Sequence, residues 1–413
     1  MSKSSSLTAA IKRFRPFACR TAALGVDLPL EHGSTLPAAS LQVQYSRFGD
    51  PSLPAVLLCP SMSNNTSPVD VEDGGADDAA GAGGGGGPGW WRRVVGEGPE
   101  YGIDLNLFQV LVPCPVGSPF GSTSPRTRRV LGDAASPRWA ADFPQITPAD
   151  MADGHAALLD HLGIDRVHAV VGGSMGGMQS LQFALRHPAR AGRCVAIAAT
   201  GQTSPSTVAL RSVQRAVVRL DKGYMGGAYD QDDPTAGPLE GMGAARRFGT
   251  ICYRSREEFD ARFDWSVGGG VRAASGGGAS EASGGGASGA RASEEGASGA
   301  RASEDGASGA SGGAVDVERI DSAARGEPLN KPSVPLDFEV ERYLDHQAHK
   351  FVAQVRYDAN CYLLLSKAMD LMNITHGFDS LDQALTRWPA RSGRDIMMLP
   401  FSTWVRKGAF SEG

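Results

Sequence analysis

"VVGGSMGGMQSLQFALRHPAR", residues 170–190, places a serine among glycines, directly after an apolar run and before a run of helical periodicity. Gly172-Gly173-Ser174-Met175-Gly176 fits G-x-S-x-G, the pattern of a sharp strand-to-helix turn that holds a serine hydroxyl out of the chain. Such a turn strains the serine backbone, and its glycine neighbours let other chain segments approach without a Cβ clash. In a chain with 54 glycines the pattern alone carries little weight. Its context carries more. "RVHAVV" (166–171) reads as a strand and "MQSLQFALRHP" as a helix, so Ser174 is the expected nucleophile rather than a small residue in a plain turn. An oxyanion hole would take one amide from Met175, at the start of the helix where N–H groups are unpaired. The second would come from the loop "PSMSNN" (60–65), with Met62 the candidate.

Outward from this point the chain alternates strand and helix. "PAVLLC" (54–59), "LFQVLVPC" (107–114) and "RCVAIAAT" (193–200) read as buried strands, and "PADMADGHAALLDHLGI" (148–164) as a helix. That alternation predicts an α/β fold with a parallel-dominated sheet covered on both faces. Four regions follow: a possible transit peptide or disordered tail over 1–26, an α/β core over 27–202, a helical cap over 203–386, and a divergent C-terminal tail over 387–413 that leaves the sheet edge incomplete. Two low-complexity insertions, 73–89 in the core and 268–313 in the cap, carry too little apolar area to order and are expected to be disordered.

Composition narrows the function classes. The 413 residues are 41% hydrophobic, enough for a sizeable core, and the net charge of −5 offers no basic field for nucleic acid. Six dispersed cysteines with no C-x-x-C pair predict reduced thiols and no metal site. No apolar run approaches the roughly 20 residues of a membrane span. Lys3, Lys12, Arg13, Arg15 and Arg20 precede the first acid, Asp27. The expected location is therefore cytoplasmic, or mitochondrial or plastid if that basic segment is a transit peptide.

GGSMGGMQ (172–179) resembles the nucleophile elbow of the homoserine O-acetyltransferase family of α/β-hydrolase-fold acyltransferases. Further matches fall in family order: "GWW" (89–91), "GSPFGSTSP" (117–125), "SVQRAVVRLD" (212–221), "RRFGTICYRSREEFDARF" (246–263), "VERYLDHQAHKFV" (340–352) and "DANCYLLLSKAMD" (358–370). The resemblance implies an α/β-hydrolase fold with a helical cap. It also implies an acetyl-serine intermediate at Ser174, acetyl-CoA as co-substrate with no bound cofactor, homoserine as acceptor in methionine biosynthesis, and a homodimer through the cap. By resemblance Arg246 matches the arginine that holds the amino-acid carboxylate, and Tyr253 a tyrosine of that pocket. A guanidinium suits the first task because it grips a carboxylate with two parallel hydrogen bonds. A surface ion pair is the competing reading of Arg246, packing that of Tyr253, and Arg215 reads as a partner for acids on a helix face.

Three departures bear on function. "GSPFG" is similar to the serine O-acyltransferase branch, and Pro60 stands where homoserine enzymes commonly have His. Serine as acceptor, with an acetyl or succinyl donor for cysteine biosynthesis, is thus the alternative. The family also places an Asp after a late strand and a His later still, completing the order Ser, Asp, His. Here "DSLDQALTRWPA" (379–390) is followed by "RSGRDIMMLPFSTWVRKGAFSEG", and the last histidine, His376, precedes that point. No triad Asp or His is identified. An altered C-terminus, a non-catalytic relative, or an unusual base such as His376 are the explanations, in that order. A plain esterase using the same serine is a further alternative.

Overall fold

The apolar runs of the sequence become the centre of a seven-stranded sheet. Its strands are β1 (Phe17–Ala23), β2 (Gln42–Phe48), β3 (Ala55–Cys59), β4 (Gln109–Pro113), β5 (Ala169–Gly173), β6 (Cys194–Ile197) and β7 (Ile396–Leu399). They lie in the order β1-β2-β4-β3-β5-β6-β7. β2 pairs antiparallel with β1 and β4, and every other neighbouring pair is parallel. All five residues of β3 and of β4 are buried, as expected of strands covered on both faces. This computed structural model describes residues 17–70, 89–263, 267–268, 337–375, 378–392 and 396–399. The basic N-terminal segment up to residue 16, most of both low-complexity insertions, and His376 lie outside the described residues.

The helices bear out the 3.6-residue periodicity. Helix α1 (Pro148–His161) starts at a capping box: the Thr147 hydroxyl accepts from the amides of Ala149 and Asp150, and the Asp150 carboxylate accepts from the Thr147 amide at 2.7 Å. Pro148 at its first position loses nothing, because that amide has no intrahelical partner. Helix α2 (Met175–Arg186) follows β5 without a linking loop and packs on α1. Strand β5 runs into the elbow, ending two residues later than the apolar run "RVHAVV" suggests.

The described residues fall into two compact units. One runs to Pro205 and resumes at Asn360; the other spans Ser206–Ala359. The second holds α3 (Pro205–Leu220) from Ser206 on, α4 (Leu239–Cys252), α5 (Arg256–Arg262), α6 (Glu339–His349) and a π-helical turn, Lys350–Gln354. Arg247 ties α4 to α6 through Asp345 at 2.8 Å, and Asp358 accepts from Tyr229 at 2.7 Å and Gln231 at 2.9 Å. The helical stretch from 203 to 386 is therefore not one body. Helix α7 (Ala359–Asp370) belongs with the sheet from Asn360 on: Leu364 and Leu365 pack at Gly117, in the loop after β4, and Thr203 donates to the Met369 carbonyl at 2.7 Å. Periodicity marks a helix but not the unit that its apolar face joins.

The C-terminal stretch read as a divergent tail also contributes to the sheet. After α8 (Leu381–Ser392), Ile396-Met397-Met398-Leu399 pairs in parallel with Cys194–Ile197 along all four residues. Four apolar residues between a helix and Pro400 are too short a run to identify from pattern. Among the described residues no helix is long and apolar enough to cross a membrane.

Candidate active site

Ser174 sits between β5 and α2 with φ 54° and ψ −123°. A positive φ on a residue carrying a Cβ costs about 1–3 kcal/mol, and surrounding structure must enforce it. Here it does. The Ser174 amide donates to the Ile197 carbonyl of β6 at 2.9 Å, and its carbonyl accepts from Met178 at 3.1 Å. The glycines supply the space: a Cβ at Gly172 would overlap the backbone of Gly176, and one at Gly176 would overlap the Cys59 carbonyl. At Gly177 a Cβ would come within 2.6 Å of that of Ala199. The result is an exposed serine side chain on a fixed backbone.

The helix start beside it offers unused donors. Among the described residues, the amides of Met175, Gly176 and Gly177 have no acceptor. They point with the positive end of the helix dipole, a setting that stabilises a developing oxyanion. The loop after β3 lies against the same turn: the place of a Cβ on Gly176 is 3.0 Å from the Pro60 carbonyl, and the Gln179 amide donates to that carbonyl at 3.2 Å. Met62 is half-buried in the turn closed by the Asn64 amide on the Ser61 carbonyl at 3.1 Å. The structure thus brings the Met62 loop and the Met175 helix start together. The far end of that loop is held where the Trp90 indole donates to the Asn65 carbonyl at 3.1 Å. Beside it the ring of Trp91 lies 3.5 Å from the place of a Cβ on Gly173, the residue before the serine.

Among the described residues of the sheet unit, no histidine is hydrogen-bonded to the serine. Among its described residues the Ser174 hydroxyl has no hydrogen-bond partner; His187 pairs with Asp153 at 2.8 Å, and His168 lies 2.9 Å from Arg193. His155 is buried, 2.8 Å from the Gln179 side-chain oxygen. Burial lowers its pKa to about 4, more than the Gln179 hydrogen bond raises it. Cys59, beside the elbow, is no rival nucleophile, since burial pushes its thiol up to about 12. Among the described residues no three His, Cys, Asp or Glu side chains are grouped to hold a metal ion.

The buried imidazole sets an acid limit. The unfolded chain takes up a proton near pH 6.5 that the folded state refuses until about pH 4. Stability from this group is therefore intact above pH 6.5 and falls between there and pH 4, by about 3 kcal/mol in total. Urea unfolding at pH 7 and pH 5 should show about 2 kcal/mol of this loss in the native chain and not in His155→Gln. An equal loss in both would place the titration elsewhere.

Arg246 and Tyr253 lie in the helical unit. Arg246, on α4, is half-buried with its guanidinium 5.3 Å from the Phe351 ring centre, and its Nε has no acceptor among the described residues. The adjacent Arg247 takes Asp345, so the ion-pair reading belongs to Arg247. Lys350 has its pKa lowered by burial and then by the nearby Arg246 charge. Tyr253 caps α4 and is 56% exposed, so it is not a packing residue of that unit. Arg215 is buried on α3.

The family described as alpha/beta hydrolase fold matches residues 83–384. The homoserine O-acetyltransferase of Natronomonas pharaonis is 30% identical over 368 residues, covering 89% of this chain and 75% of its own. The chain belongs to the homoserine O-acetyltransferase family of α/β hydrolases. Within that family it is also 33% identical to the serine O-succinyltransferase of Litchfieldella anticariensis over 295 residues, 71% of this chain. It spans 63% of that relative's length. The crystal structure of homoserine O-acetyltransferase from Bacillus anthracis shares the fold, with a TM-score of 0.62 at 18% identity over 93% of this chain and 91% of that one.

Sequence reasoning gave no role to three residues around the elbow: Gln179, His155 and Trp91. The first ends the matched stretch GGSMGGMQ, on the buried stripe of an apolar helix. Trp91 ends the matched stretch "GWW" without a role read for it, and nothing in the local sequence marks His155. The matched segment "GSPFGSTSP", whose "GSPFG" is similar to the serine branch, is a largely buried loop pinned to β2: the Gln42 amide donates to the Thr123 hydroxyl at 2.7 Å, and the Gln44 amide donates to the Ser122 hydroxyl at 3.0 Å.

Proposed function

We propose that this protein is an amino-acid O-acyltransferase that carries an acetyl group from acetyl-CoA to L-homoserine through Ser174. The observation carrying the reading is the exposed serine at a strained elbow, facing a helix start with unused amides. In the first step the Ser174 oxygen attacks the thioester carbonyl, the C–S bond breaks, and the serine proton ends on the coenzyme A thiol. In the second the acceptor hydroxyl attacks the new ester and its proton returns to Ser174. Donors at Met175 and Met62 would hold the oxyanion in both steps. The family moves these protons with a late Asp and His, whereas this sequence has no histidine after His376. Acyl-enzyme formation is thus the step to measure.

Intact mass after incubation with acetyl-CoA tests it directly. Gain of one acetyl group, absent in Ser174→Ala, supports the reading; an unmodified chain with the reported fold intact removes it. The second reading, succinyl transfer to serine, is favoured by the name of the 33% identical relative. Coenzyme A release with each donor and acceptor separates the two. One methylene is worth about 10- to 200-fold in kcat/KM.

Arg246 is proposed to hold the acceptor carboxylate. Arg246→Ala should raise the acceptor KM about 10- to 100-fold and leave the rate of Ser174 acylation unchanged. Equal loss in both steps would remove Arg246 from the acceptor site.

A further inference from the structure

We propose that Gln179 is a positioning residue of the oxyanion hole, clamping the loop after β3 onto the first turn of α2, with His155 fixing the direction in which its amide faces. The inference rests on reading Ser174 as the nucleophile, because only then does the spacing of the two amide sources matter.

Gln179 lies one turn into α2 and is fully buried. Its side-chain nitrogen is 3.2 Å from the Pro60 carbonyl oxygen and 3.2 Å from that of Met175. Both are acceptors only, so the NH2 end must face them and both of its hydrogens are used. The oxygen end then faces His155 at 2.8 Å, which obliges His155 Nε2 to carry the proton. One neutral imidazole thus sets the amide, and the amide binds one carbonyl from each element of the hole. Gly176 makes the close approach possible, since a side chain there would displace Cys59 and Pro60. Pro60 narrows the loop further through its fixed φ. A glutamine needed only for packing would not require two carbonyl acceptors and a donor in these three directions.

Three measurements on the full chain test the clamp. Nitrogen-15 shifts of histidine in the native protein should show His155 as the Nε2–H tautomer; the Nδ1–H tautomer overturns the proposal. Gln179→Glu keeps the shape and the His155 contact but turns an oxygen toward the two carbonyls. Hydrogen exchange across 60–68 should then quicken about tenfold or more, while 148–161 stays unchanged. Gln179→Met, which lacks all three bonds, should loosen the same loop, and covers the case where the glutamate variant does not fold. Unchanged loop exchange in these variants overturns the proposal. Phosphonylation of Ser174 by an alkyl fluorophosphonate should slow about 10- to 100-fold in both. If the native serine does not react while loop exchange still responds, the nucleophile reading fails and the clamp stands.

Discussion

Ser174→Gly is expected to abolish acyl-enzyme formation and at the same time make the protein more stable than Ser174→Ala. Both variants lose the nucleophile, a loss of about 1,000-fold or more in any reaction that passes through it. They differ in the backbone. Alanine keeps the Cβ that makes φ 54°, ψ −123° unfavourable, whereas glycine adopts this region freely. Release of about 1–3 kcal/mol of strain, less about 0.5–1 kcal/mol for the greater freedom of glycine in the unfolded chain, leaves Ser174→Gly ahead by about 0.5–2 kcal/mol. Paired thermal and urea unfolding of the two variants decides this. Equal stability would show that the strain released at the elbow is no larger than the glycine entropy cost of about 0.5–1 kcal/mol.

Gly176→Ala carries the largest expected cost in stability. In most helices alanine gains about 1 kcal/mol over glycine. At position 176 the added methyl meets the Cys59 carbonyl, and the Pro60 carbonyl 3.0 Å away, both backbone atoms that no rotamer change can move. The sheet must shift from the helix, at about 2–4 kcal/mol, and the β3 loop moves with it. Gly243→Ala in α4 is the control, since its nearest neighbour is an Arg247 side-chain atom at 3.6 Å and helix propensity alone should act. A fall in stability at 176 together with a gain at 243 is the expected result. A gain at both would mean that the loop can retreat from the helix without loss.

The two variants probe different parts of one device. Strain at Ser174 aims the hydroxyl, and the missing side chain at Gly176 lets the loop with Met62 come up beside the helix start. Gln179 then holds the loop there. Fixed geometry of this kind is what an oxyanion hole requires, because donors that must reorganise during the reaction lose most of their advantage. Arg246 belongs to the helical unit, and its proposed role is in acceptor binding rather than in the chemistry at Ser174.

The sequence by itself determined the elements whose signal is local. The short apolar runs that hold β3 and β4 read as buried strands, the apolar spacing of 148–164 announces α1, and the G-x-S-x-G turn between a strand and a helix announces Ser174. Each is decided by residues within a few positions of one another, through period or backbone freedom. Tertiary structure alone decided what depends on partners far apart in the chain. It joined 396–399 to the sheet beside β6, gave the helices after Asn360 to the sheet unit, and turned Arg247 rather than Arg246 toward an acid. It also brought His155, Gln179 and Pro60 into one hydrogen-bonded line across 119 positions of sequence. Periodicity reports which face of an element is apolar. It does not report which distant surface that face will cover, and the polar contacts at the site are set by that choice.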